Sequence, residues 1–170
     1  MKRIIEQAQA RIRKFAEVNN IRLNEERFKI PFQSVREYAE EWGYTCEEVL
    51  DELNGSEAMV VDFFPFSLEL VIVYDESKFN NGDEEEEFQI IIHEYLHFNE
   101  GAEDEAEDEV LSMIIALESD KPFEEGLRNV REMLSLERLK EMYVDKPELA
   151  YSMSRKLDTL TLEDARRWLE

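Results

Sequence analysis

Both histidines of this 170-residue chain fall inside one five-residue window, His93-Glu94-Tyr95-Leu96-His97. On a helix, positions i and i+4 share a face, so two imidazoles can grip one ion while the intervening glutamate looks onto water beside it. This H-E-x-x-H arrangement suits metal-assisted hydrolysis, which needs nitrogen ligands and a carboxylate able to take up a proton and return it. Zinc in such a site takes three protein ligands and keeps one position for water. With no further histidine in the chain, Asp or Glu must complete the set, and the following segment offers Glu100, Glu103, Asp104, Glu105, Glu107, Asp108 and Glu109.

The chemistry requires a helix under the motif, and the flanks predict one. Asp83 with Glu86 three positions later is a capping pair, and the acidic run "DEEEE" suits the positive end of a helix dipole. Phe88, Ile90, Ile91, Ile92, Tyr95, Leu96 and Phe98 then make the helix apolar on nearly every side as far as Gly101, which predicts a central position in the protein. A second helix is expected over residues 103 to 118, with Val110, Leu111, Met113, Ile114, Ile115 and Leu117 as its apolar face. Glu107 and Glu103 project near the centre of that face. A hairpin pivoting at Gly101-Ala102 would level His93 and His97 with residues near 107 to 110. Glu107 meets both conditions and is the predicted third ligand, with Glu103 and Glu109 as alternatives.

Around this pair, residues 2 to 19 place Ile4, Ile5, Ala8, Ile12, Phe15 and Ala16 at helical spacing. "SVREYAEEWGYTCEEVLDELNG" reads as two short helices: one to Trp42, a turn at Gly43, a cap at Thr45, and an end at Asn54-Gly55. The pattern superficially matches a helix-turn-helix. Its second helix is strongly acidic, however, so packing on the core explains it better than DNA reading. "EAMVVDFFPFSLELVIVYD" is the β-rich region, two strands with Pro65 at their turn. Residues 119 to 170 read as three or four short helices with breaks near Gly126, Asp145-Lys146-Pro147 and Thr159. The expected fold is α+β, a small sheet packed on the central motif helix and the helix after it. Residues 1–118 form the core with its N-terminal helices, and 119–170 a helical C-terminal subdomain of the same compact unit.

Asp and Glu number 42 against 20 Lys and Arg, a formal charge of −22, which would repel nucleic acid and anionic membranes over most of the surface. Hydrophobic residues make up 43 %, with ten Phe, six Tyr and two Trp, enough to build a core despite the acidity. A single cysteine, Cys46, and a start that lacks a continuous apolar stretch point to a reducing, cytoplasmic setting. No run of the sequence approaches the roughly 20 apolar residues a membrane span needs.

The stretch from "SVREYAEEWGY" through "LELVIVYDE" and "FQIIIHEYLH" to "EAEDEVLSMIIAL" resembles the gluzincin type of zinc metallopeptidase, and more narrowly the ImmA/IrrE-like family and the minigluzincins. The resemblance implies a zincin-like fold and a zinc ion on the two histidines and a glutamate of the following helix. It also implies peptide-bond hydrolysis with Glu94 as general base, acting on a protein or peptide substrate. An extended substrate could pair with the edge of the "SLELVIVYD" strand, and Tyr95, Tyr143 and Tyr151 are candidates to stabilise the oxyanion. Two other readings stand beside this one: a regulatory or protein-binding module that zinc merely stabilises, and an acidic interaction protein with no functional metal.

Overall fold

The computed structural model describes residues 1–62, 70–79, 82–98 and 104–170. The turn expected at Pro65, the pivot at Gly101-Ala102 and the alternative ligand Glu103 lie outside these residues. Among the described residues the chain is α+β, with nine α-helices and one three-stranded sheet. None of the helices is long and apolar enough to cross a membrane.

Helix α1 (Lys2–Val18) buries Ile4, Ala8, Ile12, Phe15 and Ala16 along one stripe, as their spacing requires. Strand β1 (Phe32–Ser34) follows Pro31 and, at three residues, is too short to leave a period of its own in the sequence. Helices α2 (Val35–Trp42) and α3 (Cys46–Leu53) each begin with a reciprocal capping box, Ser34 with Glu37 and Thr45 with Glu48. Between them Gly43 adopts φ 74°, a left-handed conformation that a side chain would strain. Strands β2 (Ala58–Asp62) and β3 (Leu70–Tyr74) pair antiparallel, and β1 joins β3 in parallel, so the order is β1-β3-β2.

Both faces of β3 are covered, which explains a run, "LVIVY", that is apolar at every position. Val71 and Val73 pack with Val35, Ala39, Val49 and Leu53 of α2 and α3. Ile72 points the other way, into the main core. The helix-turn-helix-like pair is thus a cover for one face of the sheet.

On the opposite face lie α4 (Glu84–Leu96) and α5 (Glu105–Glu118), capped by Asp83 and Asp104. The motif helix stops earlier than the sequence suggests. Its final turn tightens, with the His97 and Phe98 amides bonding three residues back to Glu94 and Tyr95, and His97 itself is the C-cap. A wholly buried arginine meets this end: Arg27 donates to the Tyr95 carbonyl at 3.2 Å and to the Trp168 and Leu169 carbonyls at 3.0 Å each. Burial lowers the Arg27 pKa to about 10. The guanidinium therefore stays charged at neutral pH, and the carbonyl ends of two helices solvate it.

The C-terminal part forms four helices, α6 (Phe123–Met133), α7 (Leu136–Met142), α8 (Pro147–Thr159) and α9 (Leu162–Leu169). Gly126 does not break α6. A Cβ there would lie 3.1 Å from the Glu118 Cβ and 3.3 Å from the Ile114 Cγ2, so glycine permits α6 to cross close over α5. Phe123, Leu127, Met153, Leu157 and Trp168 share one continuous core with Ile4, Ile72, Ile91 and Leu111. The C-terminal helices thus close over α5 as part of the same core.

Candidate metal centre

Helix α4 presents His93 and His97 on one side, and their Nε2 atoms stand 3.0 Å apart. Asp108 of α5 comes between them from across the helix pair. Its Oδ2 lies 3.3 Å from His97 Nε2 and its Oδ1 lies 3.0 Å from His93 Nδ1. His93, His97 and Asp108 each place a ligand atom within 4.8 Å of the others'. Metal–ligand bonds of 2.0–2.1 Å in a tetrahedron imply ligand atoms about 3.3 Å apart. The observed Nε2–Nε2 and Nε2–Oδ2 separations are close to that edge length.

A second observation tests whether these residues fit a cation. Asp108 is 0 % exposed, yet neither of its carboxylate oxygens has a hydrogen-bond partner of acceptable geometry among the described residues, nor has the buried Nδ1 of His93. Groups of that polarity are not left unsatisfied in an interior without a reason. Two imidazoles and a carboxylate with ligand atoms this close together could hold a cation, which would satisfy them.

Glu94 lies on the same helix and lines a cleft of about 400 Å³ with His93, His97, Glu105, Ser56, Ala58, Met59 and Val60. Its position against the sheet follows from register. The Ile72 amide on β3 points to β1, donating to the Pro31 carbonyl at 2.9 Å, and Ile72 is opposite Val60 on β2. The Val60 amide must therefore point out of the other edge of the sheet, on the side of the Glu94 carboxylate, whose pKa it lowers. Burial raises the Glu94 pKa to about 8, opposed by His93 and by that amide. A cation held at the histidines would act in the same direction as His93 and favour the ionised form.

The rest of the site is strongly coupled. Burial opposes charging His93, but the Asp108 and Glu109 carboxylates outweigh it and hold its pKa well above the ordinary value. His97, buried and beside His93, falls to about 4. Burial lifts Asp108 to about 7. Without a cation these groups must share protons among themselves.

Glu107, the third ligand expected from the sequence, is not part of this group. It is nearly as buried as Asp108, at 3 % exposed, but its oxygens accept from Trp168 Nε1 at 2.9 Å, from Lys156 Nζ at 3.1 Å and from Arg167. The difference has a geometric cause. Helix α5 is buried on two sides, against α4 on one and under α8 and α9 on the other, so its apolar stripe has no single centre facing the histidines. Residue 107 faces the C-terminal helices, and residue 108, about 100° further round, faces α4. Asp108 could have been found only by recognising that α5, like α4, is covered on nearly every side.

Two other acidic residues sit nearby. Glu105, half exposed on the open side of the cleft, places Oε1 3.7 Å from His93 Nε2. Glu109, the sequence-based alternative to Glu107, reaches the opposite nitrogen of the ring, with Oε1 3.1 Å from His93 Nδ1. None of the three tyrosines weighed for the oxyanion lines the cleft. Tyr95 accepts a hydrogen bond from Gln9 at 2.7 Å, Tyr151 lies under the Lys140 ammonium, and Tyr143 donates to Glu109 at 2.6 Å.

No family model, no curated protein and no solved structure matches this chain. What the site can do therefore rests on its own atoms.

Proposed function

We propose that the chain is a zinc-dependent metallopeptidase, zincin-like in arrangement, which hydrolyses peptide bonds of a protein or peptide inside the cell. His93, His97 and Asp108 would hold the ion. The observation that carries the reading is that Glu94 lines the same cleft as both histidines, beside the β2 edge of the sheet. When bound, zinc supplies Lewis acidity, bringing the pKa of a water toward about 7 and polarising a carbonyl.

The chain's own residues divide the remaining work. Glu94 takes the proton from the attacking water and delivers it to the leaving amine. The substrate meets a different strand from the one the sequence suggests. β3 is paired on both sides, so β2 provides the edge beside the cleft, with Ala58, Met59 and Val60 lining it. An extended peptide laid antiparallel or parallel along that edge would gain main-chain hydrogen bonds at the point where Glu94 waits. The ligand on the following helix would be an aspartate, where the gluzincin resemblance implies a glutamate.

The test compares wild type with Glu94→Gln, each loaded with zinc, on a peptide library read by mass spectrometry. Wild type is expected to cleave a subset of peptides, and the variant to keep one zinc per chain while its rate drops by about 10²–10⁴. Equal inertness of the two proteins, with zinc fully bound, would overturn the peptidase reading. A large fall in melting temperature on zinc removal would then favour a module that the ion only stabilises.

A further inference from the structure

We infer that Tyr143, acting through Glu109, is a positioning residue for His93, so that the C-terminal helices help to build the metal centre. The inference rests on the proposed metal site of His93, His97 and Asp108.

Glu109 is held by two donors. Its Oε2 accepts from the Tyr143 hydroxyl at 2.6 Å and from Gln89 Nε2 at 3.1 Å, leaving Oε1 directed at His93 Nδ1, 3.1 Å away. The other nitrogen of the ring, Nε2, faces His97. Asp108 Oδ1 stands at the same nitrogen, 3.0 Å away, so two carboxylates face Nδ1 and favour the tautomer that carries its proton there. The Nε2 lone pair is then free, and the ring cannot rotate away. Glu109 also forms, with His93 and Glu105, a second group whose ligand atoms lie within 4.8 Å of one another; with the ion on His93, His97 and Asp108 it acts as a partner of the ligand.

The hydroxyl at the far end of this chain of contacts belongs to the C-cap of α7. The Tyr143 ring packs against the main core, so only its oxygen reaches the cluster. Gln89 alone could bond Glu109 from within α4, but it moves with the same helix as His93. Tyr143 comes from a separate element and fixes Glu109 relative to the core. The same helix layer also holds Glu107, on the other side of Asp108, through Lys156, Arg167 and Trp168. Asp108 is therefore flanked in sequence by two carboxylates that the C-terminal residues hold in place.

The experiment measures zinc affinity by competition with a chelating dye for wild type, Tyr143→Phe, Glu109→Gln and the double variant. Tyr151→Phe serves as the control, and absorption spectra of the cobalt(II)-loaded proteins are recorded in parallel. Each single variant should bind zinc about 10–100-fold more weakly than wild type and shift the cobalt spectrum. The double variant should be within about twofold of Glu109→Gln alone, because Tyr143 works through Glu109. Tyr151→Phe should match wild type.

Wild-type affinity in Tyr143→Phe, or a double variant weakened by the product of the two single effects, would overturn the inference and leave the metal centre standing. If Tyr143→Phe does not fold, Glu109→Gln decides: undiminished affinity overturns the proposal. Failure of wild type to bind zinc would overturn the metal reading itself, and the proposal with it.

Discussion

Glu107 and Asp108 are neighbours on one helix, both carboxylates and both buried, yet their surroundings are opposites. Glu107 is surrounded by donors: an indole N–H, an ammonium and a guanidinium. Asp108 is surrounded by imidazole nitrogens and further carboxylates, with no hydrogen bond to either oxygen among the described residues. Burial alone does not mark a ligand. A satisfied buried carboxylate holds helices together, while one left unsatisfied beside two histidines is arranged for something else to satisfy it.

The strongest way to break this comparison is to truncate each residue in turn. Asp108→Ala should weaken zinc binding by more than about 100-fold, since losing a ligand exceeds losing a ligand's partner. Glu107→Ala should keep zinc and lose stability. Its cations are partly exposed, Arg167 by 52 % and Lys156 by 30 %, and can turn to water. The cost is then set by the stranded Trp168 N–H, about 1–3 kcal/mol, or several degrees in melting temperature. Added zinc should raise the melting temperature of wild type and Glu107→Ala and leave Asp108→Ala unmoved. Zinc binding by Asp108→Ala at wild-type strength would erase the distinction.

A smaller effect sharpens the Glu107 side. Trp168→Phe keeps the ring in the core and removes one of three donors, so a loss of about 1 kcal/mol is expected in denaturant unfolding. Zinc affinity should not change.

The smallest effect concerns acid. Burial tends to raise the Asp104 carboxyl, but Lys156 and the first amides of α5 outweigh it and hold its pKa below the ordinary value. Asp164 behaves alike, with Thr161 and Arg167 outweighing burial. A lowered folded pKa contributes stability that is present above the unfolded value and lost as pH falls through the folded one. The packing of α8 and α9 on α5 should therefore loosen below about pH 4. Trp168 fluorescence in a Trp42→Phe background would track this loosening, and a flat signal down to about pH 2 would remove these carboxylates from the account.

Much of the frame is legible in the sequence because its signals are local. The stripe on α1, the caps at Thr45 and Asp83, the turn at Gly43 and the β-rich "LVIVY" each report on neighbours in sequence. So does His93-Glu94-x-x-His97, since i and i+4 meet on any helix. The features that local signals miss depend on contacts between distant segments. The β-rich run suggests a free edge at β3, but the short β1 covers it. Gly126 suggests a helix break, and instead it marks a helix crossing.

The sequence by itself thus determined the two histidines, the glutamate between them, the helix that carries them and the need for a carboxylate from the acidic segment after that helix. Only the tertiary structure decided which carboxylates stand beside the histidines. Residues 107 and 108 differ by one step of about 100° on a helix covered on both sides. The choice between them was made by Trp168, Lys156 and Arg167, which lie 61, 49 and 60 residues along the chain from Glu107. They claim Glu107 and leave Asp108 to face the histidines.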